Sequence, residues 1–292
     1  MEGLSETSVL STFDELVQEG IITYGPHERV EKEYEGFPME FRICPSLTKK
    51  PQMTTSALTT PVSYPRWGPG SDLYLPTSRL ILGKLNGGTH DLALNMFCVD
   101  RPQFMLLTTD SYRRQTEPLD ADDFAAALEA MRQPEWGPQM YVIYNCTERG
   151  GCSRLHKHLQ ALKGPPRAFG LFVESVDEGD SRRKVPFQYL MHRFERGLRE
   201  VEVPELLGVY EGYVEESRHV LGLSGSQQPC PHNVVLWRDS LVVIPRRSDA
   251  LGGVSTNTVG MMGSVWVHQR EMADEWIRLG PRKVLEAFGV PW

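Results

Sequence analysis

The sequence predicts an α+β fold in which helices pack on an antiparallel sheet. Two observations support this class: several short segments alternate between apolar and polar residues as strands do, and the helix-like segments fall irregularly among them. A doubly wound parallel sheet would require a regular succession of strands and helices, which this sequence lacks. We expect the second half of the chain to extend the same core as the first half.

The composition is that of a soluble globular protein of 292 residues, with 40% hydrophobic and 24% charged residues. The sequence has no apolar run near the roughly 20 residues that a membrane span needs. A formal net charge of −7 argues against a nucleic-acid partner. The five cysteines form no Cys-x-x-Cys pair, and the acidic N-terminus lacks signal-peptide features. We therefore expect a cytoplasmic protein, or one that is also nuclear, with reduced thiols and no membrane partner.

The first elements follow from local patterns. Residues 5–20 predict a helix because apolar side chains recur at helical spacing and a glycine ends the segment. Residues 39–44 alternate as a strand, and a loop with two lysines follows at residues 45–51. Residues 52–79 are rich in Thr, Pro, Gly and Ser, which predicts an irregular surface loop and a candidate flap over a site.

The middle of the chain contains a strand pair and a helix. Residues 91–99 and 104–109 are predicted strands. Residues 119–132 predict a helix, in which Asp120 can accept a hydrogen bond from the backbone N–H of Asp123 at the N-terminus.

The second half is expected to be mainly helical at first. Residues 187–198 and 204–221 are both amphipathic and predict helices. Residues 231–246 predict a hairpin that turns near Arg238 and Asp239, and residues 281–288 predict the last helix.

The chemically distinctive stretch lies at residues 141–162. It predicts a strand, a polar turn with Gly150 and Gly151, and a second strand that begins at His156. Because side chains alternate along a strand, His156, His158 and Gln160 would share one face. Imidazole nucleophiles and glycine backbone N–H groups suit phosphate chemistry, but a metal site and a packed structural pair of histidines remain open from these residues alone.

A family resemblance extends this interpretation. His156-Lys-His-Leu-Gln160 resembles the His-x-His-x-Gln signature of the transferase branch of the histidine-triad (HIT) superfamily. Three further groups of segments resemble the fungal-type diadenosine tetraphosphate phosphorylases (ATP adenylyltransferases) of that branch: residues 95–99 with 103–108, residues 115–120, and the C-terminal residues 231–246 with 257–267. The resemblance covers roughly residues 40–292.

The resemblance implies a HIT-like antiparallel sheet with flanking helices. Residues 1–165 would hold the nucleotide site and the His-x-His-x-Gln strand. Residues 166–292 would form an ATP adenylyltransferase-like half, joined to the first in one compact unit. A monomer is expected.

The implied activity is a nucleotidyl transfer. His158 would attack the α-phosphorus of diadenosine tetraphosphate, ATP would leave, and inorganic phosphate would release the nucleotide as ADP, with the reverse reaction also possible. The other ring nitrogen of His158 is expected to bond a backbone carbonyl. A divalent cation such as Mg²⁺ would be carried on the substrate phosphates, with no metal site in the protein.

The resemblance also implies roles for further residues. His156, Gln160, Ser153 and the backbone of the two glycines would stabilise charge on the phosphoryl oxygens. The residues expected to bind the rest of the substrate are Lys50 and Arg154 at the polyphosphate, Asn145 near the phosphate, and Asp91 and Asn95 at the adenosine.

Five positions depart from the family pattern and leave alternatives open: Met96, Gln103, Arg154, Leu155 and His232. One alternative is a HIT-type dinucleoside polyphosphate hydrolase, although hydrolases of the superfamily carry a third histidine where this chain has Gln160. Another is a catalytically altered nucleotide-binding member that serves a different pathway. A sugar-phosphate uridylyltransferase is less consistent, because its His-Pro-His-Gly-Gln motif and metal-binding cysteines are missing.

Overall fold

The computed structural model describes residues 4–50, 65–174, 184–225 and 228–292. The strands are β1 Glu28–Tyr34, β2 Phe37–Ile43, β3 Ile81–Leu85, β4 His90–Leu94, β5 Phe104–Thr108, β6 Met140–Cys146, β7 His158–Lys163, β8 Leu190–Arg193, β9 His232–Trp237, β10 Ser240–Pro245, β11 Ala250–Leu251, β12 Val254–Ser255 and β13 Ser264–Val267. The helices are α1 Glu6–Gln18, α2 Ala121–Met131, α3 Phe169–Glu174, α4 Val203–Val220, α5 Thr258–Met261, α6 Arg270–Leu279 and α7 Pro281–Phe288.

The core of the molecule is an eight-stranded sheet in the order β3-β4-β5-β7-β6-β9-β10-β8. All neighbouring strands in this sheet run antiparallel. Strands β6 and β9 meet in register at Asn145 and Asn233, so the sheet passes from the first half of the chain into the second. The predicted α+β class with a large antiparallel sheet is confirmed.

Hydrophobic side chains cover both faces of this sheet. One face packs against α1, α2 and α4, and the other packs against α6, α7 and a small sheet of β1, β2 and β13. Strand β7 shows the alternation, because Leu159 and Ala161 belong to the first cluster and Leu162 to the second. His158 and Gln160 therefore lie on the same face as Leu162.

Several predicted elements are present as expected. Helix α2 begins at a capping box in which Asp120 accepts the N–H of Asp123 and the Asp123 carboxylate accepts the N–H of Asp120. The C-terminal hairpin is β9 and β10, with Arg238 in the left-handed region at its turn. Among the described residues, no helix combines the length and the apolar character required to cross a membrane.

Two predicted elements are wrong. The strand expected over residues 91–99 ends at Leu94, because the Asn95 side chain accepts the backbone N–H of Phe97 and turns the chain away from the sheet. The helix expected over residues 187–198 is instead the edge strand β8, which pairs with residues 240–243 of β10. The helical spacing of its apolar residues is overridden by this sheet pairing.

One boundary also differs from expectation. The strand expected from His156 begins at His158, because the backbone N–H groups of Leu155 and His156 bond the carboxylate of Asp72 rather than a neighbouring strand. Residues 52–64 of the expected surface loop lie outside the described residues. Residues 65–77 are described and pack against the start of β7.

A buried ion pair connects the start of α2 to Lys157, the residue just before β7. The ammonium group of Lys157 lies 2.6 Å from Asp123 Oδ2 and 2.7 Å from the carbonyl oxygen of Pro118. The other carboxylate oxygen of Asp123 is 3.1 Å from His90 Nε2, and Lys157 and Asp123 are fully buried. Because a carboxylate only accepts hydrogen bonds, His90 donates through Nε2.

We expect Asp123→Ala to lower the free energy of unfolding by about 3–5 kcal/mol, because it removes the buried carboxylate 2.6 Å from the Lys157 ammonium and leaves that ammonium with the half-exposed Asp120 carboxylate 4.0 Å away. Urea denaturation followed by circular dichroism would measure the loss. The matched control is Arg167→Ala, which breaks the surface pair with Glu31, whose side chains are 76% and 53% exposed. The control should leave the unfolding free energy unchanged, and equal losses in both variants would contradict the assigned role.

Candidate active site

A cleft opens at one end of β7, on the face that carries His158 and Gln160. Its polar lining includes cations, amides and a carboxylate, while its apolar lining comes from β4, β5 and the segment before β3. The described lining residues are Lys50, Trp67, Asp72, Leu73, Tyr74, Leu94, Asn95, Met96, Phe97, Met105, Ser153, Arg154, His158 and Gln160. The combination of aromatic surface with two cations and an imidazole fits a ligand that carries a ring and phosphates.

His158 is held in one tautomer. Its Nδ1 lies 2.8 Å from the carbonyl oxygen of His156, and a carbonyl can only accept, so Nδ1 carries the proton. Burial lowers the pKa of His158 to about 4, against the opposing effect of that hydrogen bond. The imidazole is therefore neutral at pH 7, and its unprotonated Nε2 has a lone pair that is available to attack an electrophile. The predicted bond to a backbone carbonyl is present.

Gln115 fixes the backbone of His158 from the side of the sheet. Its Oε1 accepts the His158 N–H at 2.8 Å, and its Nε2 donates to the His158 carbonyl at 2.9 Å. Nε2 also donates to the carbonyl of Asn145 at 3.1 Å, which connects β7 to β6 at this point. Gln115 is buried, so its loss would leave these backbone groups without their partner.

His156 lies behind His158 and uses both ring nitrogens on the protein itself. Its Nε2 is 2.9 Å from the carbonyl oxygen of Thr108 and must carry the proton. Burial lowers the pKa of His156, so the ring is neutral, and Nδ1 accepts from the Ser71 hydroxyl at 2.8 Å. His156 was expected to donate to the phosphoryl group, but its ring instead anchors the chain that orients His158.

Asp72 caps the start of the histidine segment. Its Oδ2 accepts the N–H of Leu155, and its Oδ1 accepts the N–H of His156, each at 3.0 Å. The carboxylate thus satisfies two backbone N–H groups at the point where the histidine segment enters the sheet. Asp72 and Ser71 come from the region that the sequence described only as an irregular loop.

Gln160 lies two residues after His158 and lines the same cleft. Its Oε1 accepts a hydrogen bond from Gln103 Nε2 at 2.8 Å. Gln103, one of the departures from the family pattern, is therefore a direct neighbour of a predicted site residue.

Lys50, Ser153 and Arg154 all line the cleft, as expected for groups near a polyphosphate. Burial lowers the pKa of the Arg154 guanidinium, and the carboxylate of Asp72 opposes this effect. Two positive charges therefore face the same cavity as His158, which favours an anionic ligand.

The two glycines have a different function from the expected phosphate cradle. The N–H of Gly150 bonds the carbonyl of Thr147, and the N–H of Gly151 bonds the carbonyl of Glu148. A Cβ atom on Gly150 would lie 2.1 Å from the carbonyl oxygen of Cys146. Gly151 has a φ of +84°, and its Cβ would lie 2.4 Å from the carbonyl oxygen of Thr256. These positions need glycine for close backbone approach.

Asn145 was expected near the phosphate. It lies instead inside the junction between the two halves of the chain. Its Oδ1 accepts from the Thr258 hydroxyl at 2.6 Å and from the Thr258 N–H at 2.9 Å. Next to it, the buried Arg246 donates to Asn233 Oδ1 at 2.6 Å and to the carbonyl of Gly150 at 3.3 Å. This network holds the glycine turn against the second half.

Of the two residues expected at the adenosine, Asn95 lines the cleft. Asp91 is buried beside it, and its Oδ2 accepts the indole N–H of Trp67 at 2.9 Å. Asp91 therefore positions an aromatic lining residue.

Sequence reasoning missed the supporting residues of this site. Gln115 lies in a segment that resembles the family sequence. The sequence alone gave no chemical reason for an amide at this position. Asp72, Ser71 and Trp67 lie in a stretch without periodicity, where no local signal indicates a contact with a residue more than 80 positions away, as both Asp72 and Ser71 make with His156.

Comparisons with known proteins agree with the geometry. The family model for the N-terminal domain of Ap4A (diadenosine tetraphosphate) phosphorylase matches residues 16–170. The family model for the ATP adenylyltransferase C-terminal domain matches residues 183–291. Protein APA1 of Saccharomyces cerevisiae is 33% identical over 100 residues, which span 33% of this chain and 30% of that protein.

Solved structures share the fold. Yeast Ap4A phosphorylase Apa2 superposes with a TM-score of 0.75 at 19% identity, over 98% of this chain and 97% of that one. Its complex with Ap4A gives a TM-score of 0.73 at 20% identity, over 100% and 99% of the two chains. Since one family model alone covers more than half of the sequence, the chain belongs to the Ap4A phosphorylase family.

Proposed function

We propose that this protein cleaves diadenosine tetraphosphate with inorganic phosphate to give ADP and ATP, reversibly, through a nucleotidyl intermediate on His158. The observation that carries the proposal is the neutral imidazole of His158, which lines the cleft with Nδ1 donating to the carbonyl of His156. The related yeast enzyme is described as an Ap4A phosphorylase and is known in complexes with Ap4A and with AMP.

In the first step, the lone pair of His158 Nε2 attacks the α-phosphorus. The bond from this phosphorus to the bridging oxygen breaks, and ATP leaves with the electron pair. Nδ1 keeps its proton, so the new imidazolium is positively charged and faces the carbonyl oxygen of His156, which stabilises it. Splitting one displacement into two in this way lowers the barrier of each.

In the second step, an oxygen of inorganic phosphate attacks the same phosphorus. The phosphorus–nitrogen bond breaks, its electron pair returns to Nε2, and ADP is released. Lys50 and Arg154 line the cleft and supply positive charge for the phosphates in both steps.

A divalent cation such as Mg²⁺ belongs with the substrate in this scheme. Among the described lining residues, Asp72 is the one carboxylate, and both its oxygens already accept backbone N–H groups. The ligands of the cation would therefore be substrate oxygens and water. All five cysteines are free thiols, which supports a reducing compartment such as the cytoplasm.

We expect wild-type protein mixed with diadenosine tetraphosphate and Mg²⁺, without phosphate, to gain the mass of one adenylyl group. Adding phosphate should discharge the adduct as ADP. His158→Ala should form no adduct and lose turnover by about 10⁴-fold, because the nucleophile is gone. Intact-mass spectrometry and nucleotide chromatography would measure both results.

The matched control for that experiment is His219→Ala, which removes an exposed histidine on α4. The control should form the adduct at the wild-type rate. AMP released in the absence of phosphate would indicate a hydrolase, and wild-type protein that binds the nucleotide without an adduct or turnover would indicate a binding member of the family.

The pH dependence of adduct formation tests the state of the nucleophile. Because burial lowers the pKa of His158 to about 4, the neutral form persists far below neutral pH. Burial lowers the pKa of Lys50 to about 8, so its charge is complete only below that range. We expect the single-turnover rate constant to stay level from about pH 7 to about pH 5 and to fall below about pH 4, as Nε2 becomes protonated. Circular dichroism at each pH would verify that the protein is folded. A midpoint near the ordinary histidine value of about 6.5 would contradict the assigned burial effect.

A further inference from the structure

We propose that Gln103 is a positioning residue that turns the carboxamide of Gln160 so that its N–H₂ group faces the cleft. The inference rests on the proposed function, because it assigns the role of Gln160 in that reaction.

The orientation of Gln103 is fixed by the backbone. Its Oε1 accepts the N–H of Val99 at 3.3 Å, and its side chain is buried, with 1% of the residue exposed. Since Val99 can only donate there, the oxygen of the Gln103 amide must face Val99. The amide nitrogen is then directed at Gln160 Oε1, 2.8 Å away.

The opposite arrangement is unfavourable at Val99. A flipped Gln103 would place its N–H₂ group against the backbone N–H of Val99, which can only donate. A buried donor left unpaired in this way is destabilising. The orientation of Gln103 therefore determines the orientation of Gln160.

The orientation of Gln160 affects which molecule, phosphate or water, can attack the adduct on His158. Gln160 lines the cleft two residues from His158, and with Oε1 occupied by Gln103 it presents only N–H groups to the ligand. Those groups can donate to phosphoryl oxygens, but they cannot accept a proton from water. Inorganic phosphate at neutral pH has unprotonated oxygens and needs no base. The Gln103–Gln160 pair therefore favours phosphate over water as the acceptor.

The test compares Gln103→Met, which keeps the length of the side chain but cannot donate, with Gln103→His, which can accept at one ring nitrogen and donate at the other. We expect Gln103→Met to slow adduct formation at saturating substrate by about tenfold, because Gln160 is free to rotate. Its share of AMP among the products should rise. Gln103→His should retain the wild-type rate and product ratio. Gln103→Asn, too short to reach both partners, gives a second comparison if Gln103→Met does not fold.

A double-mutant cycle separates positioning from a general structural effect. In a Gln160→Ala background, Gln103→Met should cause no further loss of rate. An equal loss in both backgrounds, or no loss in the wild-type background, would overturn the positioning role, and an unchanged AMP share would overturn the selection of phosphate. Failure of the proposed function itself would look different, because the wild-type protein would then form no adduct.

Discussion

The hydrogen bond from His158 Nδ1 to the carbonyl of His156 is the interaction on which the site depends. It sets the tautomer of His158, and its acceptor carbonyl lies in the segment just before β7 begins. Asp72 accepts the N–H groups that a neighbouring strand would otherwise bond, and Ser71 holds the His156 ring. A contact within the histidine segment and contacts from Ser71 and Asp72 thus together fix the orientation of the His158 ring.

The same segment is fixed from its other face. Lys157, between the two histidines, extends away from the cleft into a fully buried pair with Asp123 at the start of α2. Because successive side chains point to opposite faces, the segment can present His158 to the cleft on one side and an anchoring charge on the other. Breaking such a buried pair is costly even where forming it adds little net stability, so the pair serves to hold position.

Local sequence patterns predicted the elements whose stability is local. The capping box at Asp120, the turn at Arg238 and the final helix α7 all follow from nearby residues. Strand β8 could not be predicted this way, because its apolar spacing suits a helix and its pairing with β10 decides the outcome. The contacts of Asp72 were equally hidden, since nothing near it in sequence indicates a partner more than 80 residues away.

Gly150 and Gly151 were expected to matter for their backbone N–H groups, but the structure gives a different reason for glycine at these positions. Gly150 and Gly151 are needed for close packing against Cys146 and Thr256, not for their N–H groups, which bond within the turn. The carbonyl of Gly150 accepts from Asn233 and from the buried Arg246, both in the second half of the chain. The turn leads directly to Ser153 and Arg154 at the cleft. The second half therefore shapes the cleft at Ser153 and Arg154 by setting the path of this turn.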